Sequence, residues 1–172
     1  MRPLMKVSIW TKACRLAVVL GSVAAFQALP AFPAHAGDET FIDGLAAYDG
    51  GDVAKTVRIW TALAETGDAN AQVGLAGLYL AGSGVQRDPS AAAELYRLAA
   101  EQGDSNGQLN LGRLHLDGIG VERDLGAAYA WLTLAAAQDR RWAEEKRLAI
   151  EPILTDEQRA SAETLIESIK SR

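Results

Sequence analysis

Residues 71–88 read AQVGLAGLYLAGSGVQRD, and residues 107–124 read GQLNLGRLHLDGIGVERD. The second stretch repeats the first at an offset of 36, and the register extends beyond both. Between residues 64–99 and 100–135, 18 of 36 positions are identical. Alanine-rich helices match one another at a few positions by chance. Chance does not place Gly82-x-Gly84-Val85 and Gly118-x-Gly120-Val121 in register, each followed by Arg-Asp. Such repetition marks an architecture in which each unit buries its apolar face against the next.

Each repeat predicts two helices. Ala71, Leu75, Leu78 and Tyr79 share one face of a helix over 69–81, as do Leu111, Leu114 and His115 over 105–117. The glycine pair then ends the helix, because glycine reaches positive φ without steric cost. The second helix opens at Asp88, whose carboxylate accepts from free backbone N–H groups, with Pro89 in the first helical position. Asp124 opens its copy. Ala92, Leu95, Tyr96 and Ala99 line the buried side, matched by Ala128, Trp131, Leu132 and Ala135. The alanines allow close approach and the aromatics fill the gaps.

A shorter unit precedes the repeats. Asp52 and Trp60 lie 36 residues before Asp88 and Tyr96, but the first helix, over 40–48, lacks the longer glycine turn. Two divergent helices follow. One spans 140–150 and stops near Pro152; the other starts at Thr155, with Gln158 completing a capping box and Ala162, Leu165, Ile166 and Ile169 on one face. Divergent ends suit a repeat array, since terminal units must show one face to water.

The motif Ala71-Gln72-x-x-Leu75-x-x-Leu78-Tyr79-x-x-Gly82-x-Gly84-Val85-x-x-Asp88, continued by Ala92-x-x-Leu95-Tyr96-x-x-Ala99-Ala100-Glu101-Gln102-Gly103, resembles a Sel1-like repeat. The copy over 107–136 resembles it too, with His115 where the family has tyrosine and, just beyond it, Asp139 where it has glycine. The leading unit is similar to a tetratricopeptide repeat. The resemblance implies an all-α, right-handed α-solenoid of antiparallel helix pairs with a C-terminal capping helix, acting as an adaptor in protein complexes. The expected layout is a leader over 1–36 and one repeat domain over 37–172. That domain divides into a tetratricopeptide-like unit (38–67), Sel1-like repeats (68–103 and 104–139) and capping helices (140–172).

The start of the chain predicts export. Arg2, Lys6, Lys12 and Arg15 form a basic segment, and Leu16 to Ala28 is apolar, followed by Pro30 and Pro33. Ala34-His35-Ala36 offers small residues where a signal peptidase reads, so cleavage is expected before Gly37. The apolar run is 13 residues, short of the ~20 that span a bilayer. The expected destination is the periplasm or the exterior. Cys14 is the only cysteine and precedes the apolar run, so it is no lipid-anchor site, and the mature chain has no disulfide to rely on. Without the leader's four basic residues the balance is 13 basic against 22 acidic, a net −9. So acidic a chain suits neither nucleic acid nor anionic lipid.

No catalytic constellation is read, and no cofactor or metal is expected. Gly82-x-Gly84 and Gly118-x-Gly120 follow no strand and recur at the same repeat position, so they read as turns rather than phosphate cradles. His115, the one histidine outside the leader, replaces Tyr79 and reads as a packed, hydrogen-bonded core histidine; with no cysteine or second histidine, structural zinc is excluded. Glu144-Glu145 and Asp156-Glu157 are sequence neighbours that diverge on a helix. Trp60 and Trp131 read as core, and Trp142, after Arg140-Arg141, stands at the junction with the end helices.

The leading functional reading is a protein-binding module, an adaptor or regulator docking on an envelope protein. If the geometry resembles that of tetratricopeptide repeats, the inner, concave face carries Asn70, Val73, Gly77, Leu80, Asn106, Leu109, Asn110, Arg113 and Leu116. Asparagine bonds backbone amides and arginine forks onto a carboxylate, which suits an extended peptide or a chain end. The alternative is an accessory subunit of a cell-wall or exopolysaccharide machinery, with a carbohydrate ligand. A cell-wall-active enzyme ranks third, for want of an acid or nucleophile in a cleft.

Overall fold

The computed structural model describes residues 39–171, and the predicted leader lies outside them. Among the described residues all regular structure is helical. The elements are α1 (Phe41–Asp49), α2 (Val53–Glu65), α3 (Ala69–Ala81), α4 (Pro89–Glu101), α5 (Ser105–Asp117), α6 (Leu125–Ala136), α7 (Arg141–Ile150), a 3-10 turn (Glu151–Ile153) and α8 (Asp156–Lys170). Packing is sequential. Helices pair as α1–α2, α3–α4 and α5–α6, then join through α2–α3, α4–α5 and α6–α7, and α3 also touches α5. The result is an α-solenoid.

The recurring Arg-Asp pair closes one helix and opens the next. Gly82 (φ 70°) and Gly118 (φ 67°) end α3 and α5 in the left-handed conformation. Arg87 Nε then donates to the Leu80 carbonyl and Arg123 Nε to the Leu116 carbonyl, both at 3.0 Å, so each arginine satisfies an orphaned helix-end acceptor. The adjacent Asp88 and Asp124 carboxylates each accept two backbone N–H groups of α4 and α6.

Buried glutamines tie the units together. Gln72 Nε2 donates to the Ala64 carbonyl and Gln108 Nε2 to the Ala100 carbonyl, both at 3.3 Å, each near the end of the preceding helix. Gln102 and Gln138 then donate onto Gln72 and Gln108 at 2.9 and 3.0 Å. Gln72 and Gln108 are almost wholly buried. The ladder therefore satisfies polar groups that would otherwise be costly to enclose.

One position per repeat wedges apart successive first helices. Trp60 stands between α1 and α3: a Cβ added at Gly44 or Gly74 would lie 2.3 or 2.8 Å from it. Its indole Nε1 donates to the Phe41 carbonyl at 3.2 Å, and its ring stacks on Phe41 at 5.2 Å. Tyr96 holds the equivalent place between α3 and α5. Leu132 is the third member, 2.9 Å from a Cβ placed on Gly112 of α5.

The end of the array departs from the alternation. α8 packs along α6, and its Ala162 and Ile166 join the central cluster with Tyr96, Leu111, Leu114, Trp131 and Leu134. Gly120 shows how: a Cβ there would lie 2.0 Å from the Pro89 carbonyl oxygen and 2.9 Å from Ser90 N, so the glycine loop rests on the start of α4. Gly126, the equivalent of Ser90, would place a Cβ 2.9 Å from the Gln158 carbonyl oxygen. The first turn of α8 thus occupies on α6 the seat that the Gly120 loop occupies on α4.

The junction between the repeats and α7 carries local strain. Gly67 and Gly103 close their units at φ 95° and 88°, and the equivalent Asp139 sits at φ 60°, the one non-glycine residue with positive φ among those described. A side chain there costs free energy that glycine does not. Asp139→Gly is expected to stabilise the fold by about 1 kcal/mol. Urea unfolding with an unchanged slope would register the gain, and a lowered midpoint would show that the aspartate is held by something other than its backbone.

Candidate docking surface

The nine residues expected on the inner face fall on two neighbouring helices, α3 and α5. The structure distributes them between seam and surface. Val73 and Leu80 are half-buried against the central cluster, and Leu109 and Leu116 against the cluster formed by Ala128, Leu132, Ala135, Ala143 and Ile150. Their apolar character is accounted for by that packing. Asn70 and Arg113 are exposed, while Gly77, Asn106 and Asn110 are half-buried. The Asn110 amide Nδ2 donates to the Asn106 carbonyl at 2.9 Å, which leaves its own carbonyl oxygen available.

Gly77 and Arg113 are equivalent positions in successive repeats, and the Tyr96 hydroxyl approaches Gly77. A Cβ at Gly77 would stand 3.9 Å from that hydroxyl, an ordinary van der Waals contact. Burial raises the Tyr96 pKa above its ordinary value, and the charge of Arg113 pulls it partly back. Sequence reading placed Tyr96 in the core by its periodicity, and the residue is indeed only 4% exposed.

Most other charges are engaged locally. Arg97 pairs with Glu94 and Glu101. Arg147 pairs with Glu144 and Glu151 at 3.0 Å, which holds the Glu144 carboxyl below its usual range. Arg140 donates to Ser105 Oγ. Trp142 is partly exposed, with the Lys146 ammonium 5.6 Å from its ring centre.

Two open recesses lie elsewhere, beside the glycine loops. One, of about 470 Å³, is lined by Tyr79, Val85, Gln86, Arg87 and Asp88. Its repeat equivalent, about 560 Å³, is lined by His115, Glu122, Arg123 and Asp124, with Glu157, Gln158 and Ser161 of α8 added. His115 is half-buried rather than sealed in the core, with Nδ1 3.4 Å from the Glu122 carbonyl oxygen. Among the described residues no group of three or more His, Cys, Asp or Glu side chains is placed to hold a metal ion. No described helix is long and apolar enough to cross a membrane.

The family model for the Sel1 repeat matches residues 69–104 and again residues 105–139. The chain carries two Sel1 repeats. They coincide with α3–α4 and α5–α6, the two hairpins joined by the glutamine ladder. Two solved structures share the arrangement. A protective antigen of uropathogenic Escherichia coli displaying an SLR fold is 34% identical, with a TM-score of 0.68 over 75% of this chain and 28% of that one. A Sel1 repeat protein from Oxalobacter formigenes is 28% identical, with a TM-score of 0.62 over 66% of this chain and 47% of that one. The chain therefore spans less than half the length of either protein. No curated protein matches it. Sel1 repeats generally mediate protein–protein interactions.

Proposed function

We propose that this chain is an exported, non-catalytic binding module, an adaptor or regulator that docks on an envelope protein through the joined faces of α3 and α5. The observation that carries the reading is the contact between the first helices of two successive Sel1 repeats. It sets side by side the two helices that carry Asn70, Asn106, Asn110 and Arg113. Amide and guanidinium groups carried on packed helices suit an extended polypeptide, whose backbone and carboxylates they can hydrogen-bond. The basic and apolar segments before Gly37 support export.

The test is capture from a periplasmic extract, with mild cross-linking and mass spectrometry, by the native protein and by an Asn106→Ala/Asn110→Ala/Arg113→Glu variant. A protein retained by the native chain and lost, by tenfold or roughly more, with the folded variant is the expected result. A partner held equally by both would move the site off this face. Retention of glycan alone would replace the reading with a carbohydrate-binding one.

A further inference from the structure

We propose that a recess between α4, α5 and α6 is a second binding site, which takes one neutral apolar side chain of an extended polypeptide while the Trp131 indole N–H donates to a backbone carbonyl of that segment. The site shares no residue with the α3–α5 face and goes beyond the function proposed for it.

The first observation is the space itself. The recess has a volume of about 300 Å³, at the lower end for small-molecule sites, which suits a side chain rather than a cofactor. Buried Ala93, Leu111 and Trp131, with half-buried Val121, make its apolar lining. Ser90, Glu94, Arg97 and His115 make the more exposed part. The preceding seam shows what opened it. There, 36 positions earlier, Val57, Tyr79, Val85 and Leu95 stand in place of Ala93, His115, Val121 and Trp131. All four pack against the first cluster. A Cβ on Gly84 would meet Val53 Cγ1 at 2.5 Å and Val57 Cγ2 at 3.2 Å, whereas the three atoms nearest a Cβ on Gly120 are all backbone. The loop of the first seam thus rests on valine side chains. In the second seam Ala93 lacks the methyl groups that Val57 supplies, and space remains beside it.

The second observation is independent of the space. Trp131 is 4% exposed, and its indole N–H has no hydrogen-bond partner among the described residues. No described side-chain nitrogen or oxygen is both sealed and unsatisfied, so this nitrogen keeps an opening, and Trp131 lines the recess. Trp60, by contrast, gives its N–H to the Phe41 carbonyl. An indole nitrogen only donates, and a buried one ordinarily has an acceptor. The acceptor missing at Trp131 is one that a ligand brings.

These features narrow the ligand. Arg97 is paired with Glu94 and Glu101, so neither charge of the Glu94–Arg97 pair at the recess is left for an ionised group. A sugar stacks on an open ring face, which a tryptophan this deeply buried does not present. An apolar side chain matches the lining, and a peptide carbonyl beside it accepts from Trp131. The exposed Ser90 hydroxyl, which also has no partner among the described residues, stands at the same recess to accept from a peptide N–H.

The experiment is an NMR titration of the full chain with acetyl-Ala-Leu-Ala-amide, with acetyl-Ala-Gly-Ala-amide, which lacks only the side chain, and with N-acetylglucosamine. Saturable shifts of the Trp131 indole N–H and the Ala93 amide are expected with the leucine peptide alone. The Trp60 indole signal should stay in place and reports that the fold is kept. Trp131→Phe keeps an aromatic ring without the donor and is expected to weaken binding about fivefold. Ala93→Val restores the valine of the first seam and is expected to abolish the shifts. Absence of saturable shifts with the leucine peptide overturns the proposal, as does an equal response to the glycine peptide. Unchanged binding in either folded variant overturns it too. Shifts with N-acetylglucosamine alone would make the recess a carbohydrate site instead.

Discussion

Gly120→Ala is expected to destabilise the fold by about 3 kcal/mol. Two costs combine. The residue sits at φ 72°, where a side chain is strained, and its Cβ would stand 2.0 Å from the Pro89 carbonyl oxygen. That oxygen belongs to the backbone at the start of α4, so relief requires one repeat to move away from the next. Gly118→Ala separates the two costs. It has nearly the same φ, but its nearest neighbour would be Arg123 Cβ at 3.2 Å, a side-chain contact with room to adjust. Its loss should be nearer 1 kcal/mol. Urea unfolding of the two variants measures the difference, with the slope checking that the denatured state is unchanged. Equal losses would mean that the Gly120–Pro89 approach contributes nothing to holding the repeats together.

Trp60→Ala is expected to cost about 3–5 kcal/mol, the range for truncating a large buried aromatic. Trp60 fills the space between α1 and α3, stacks on Phe41, and donates to its carbonyl. The loss should also be uneven along the chain. In α1 only Gly44 is buried, and it lies against Trp60, with its carbonyl accepting from Thr56 Oγ1 at 3.1 Å. With the indole gone, α1 loses its main anchor while α5 and α6 keep theirs. Amide exchange should therefore quicken in α1 well before the Sel1 repeats respond, as expected where each unit depends on its neighbours. Uniform acceleration across α1 to α8 would show that the array unfolds as one cooperative block.

Much of this fold is legible along the chain because its signals are local. Asp68, Asp88, Asp104 and Asp124 each cap a helix with their own carboxylate, and Thr155 with Gln158 forms the capping box read from sequence. The predicted spans 69–81 and 105–117 coincide with α3 and α5. What the chain hides is pairing at a distance. Gln72 and Gln108 are conspicuous as a repeated pair, but their hydrogen bonds run to residues 8 and 30 positions away. The apolar face of α8 is plain in Leu165, Ile166 and Ile169, whereas its choice of α6 depends on Gly126, which in sequence is just another small residue. The candidate site divides in the same way. Helical spacing places Asn70, Asn110 and Arg113 on the first helices, but whether Val73 or Leu109 faces a partner or the neighbouring repeat is decided by packing between units.

The seat that α8 takes on α6 makes the array's length an adjustable quantity. Gln158 meets the start of the last second helix by standing in for a glycine loop, at a position where α6 carries Gly126 and α4 carries Ser90. A further 36-residue block copied ahead of α6 would present its own Gly120-like loop to α4 and leave Gly126 of α6 facing α8, so the terminator's contact stays intact. Growth by duplication then needs no redesign of the end. Each added unit would lengthen the face built by α3 and α5 by one helix, so the reach of the protein along an extended partner would be set by copy number rather than by new sequence.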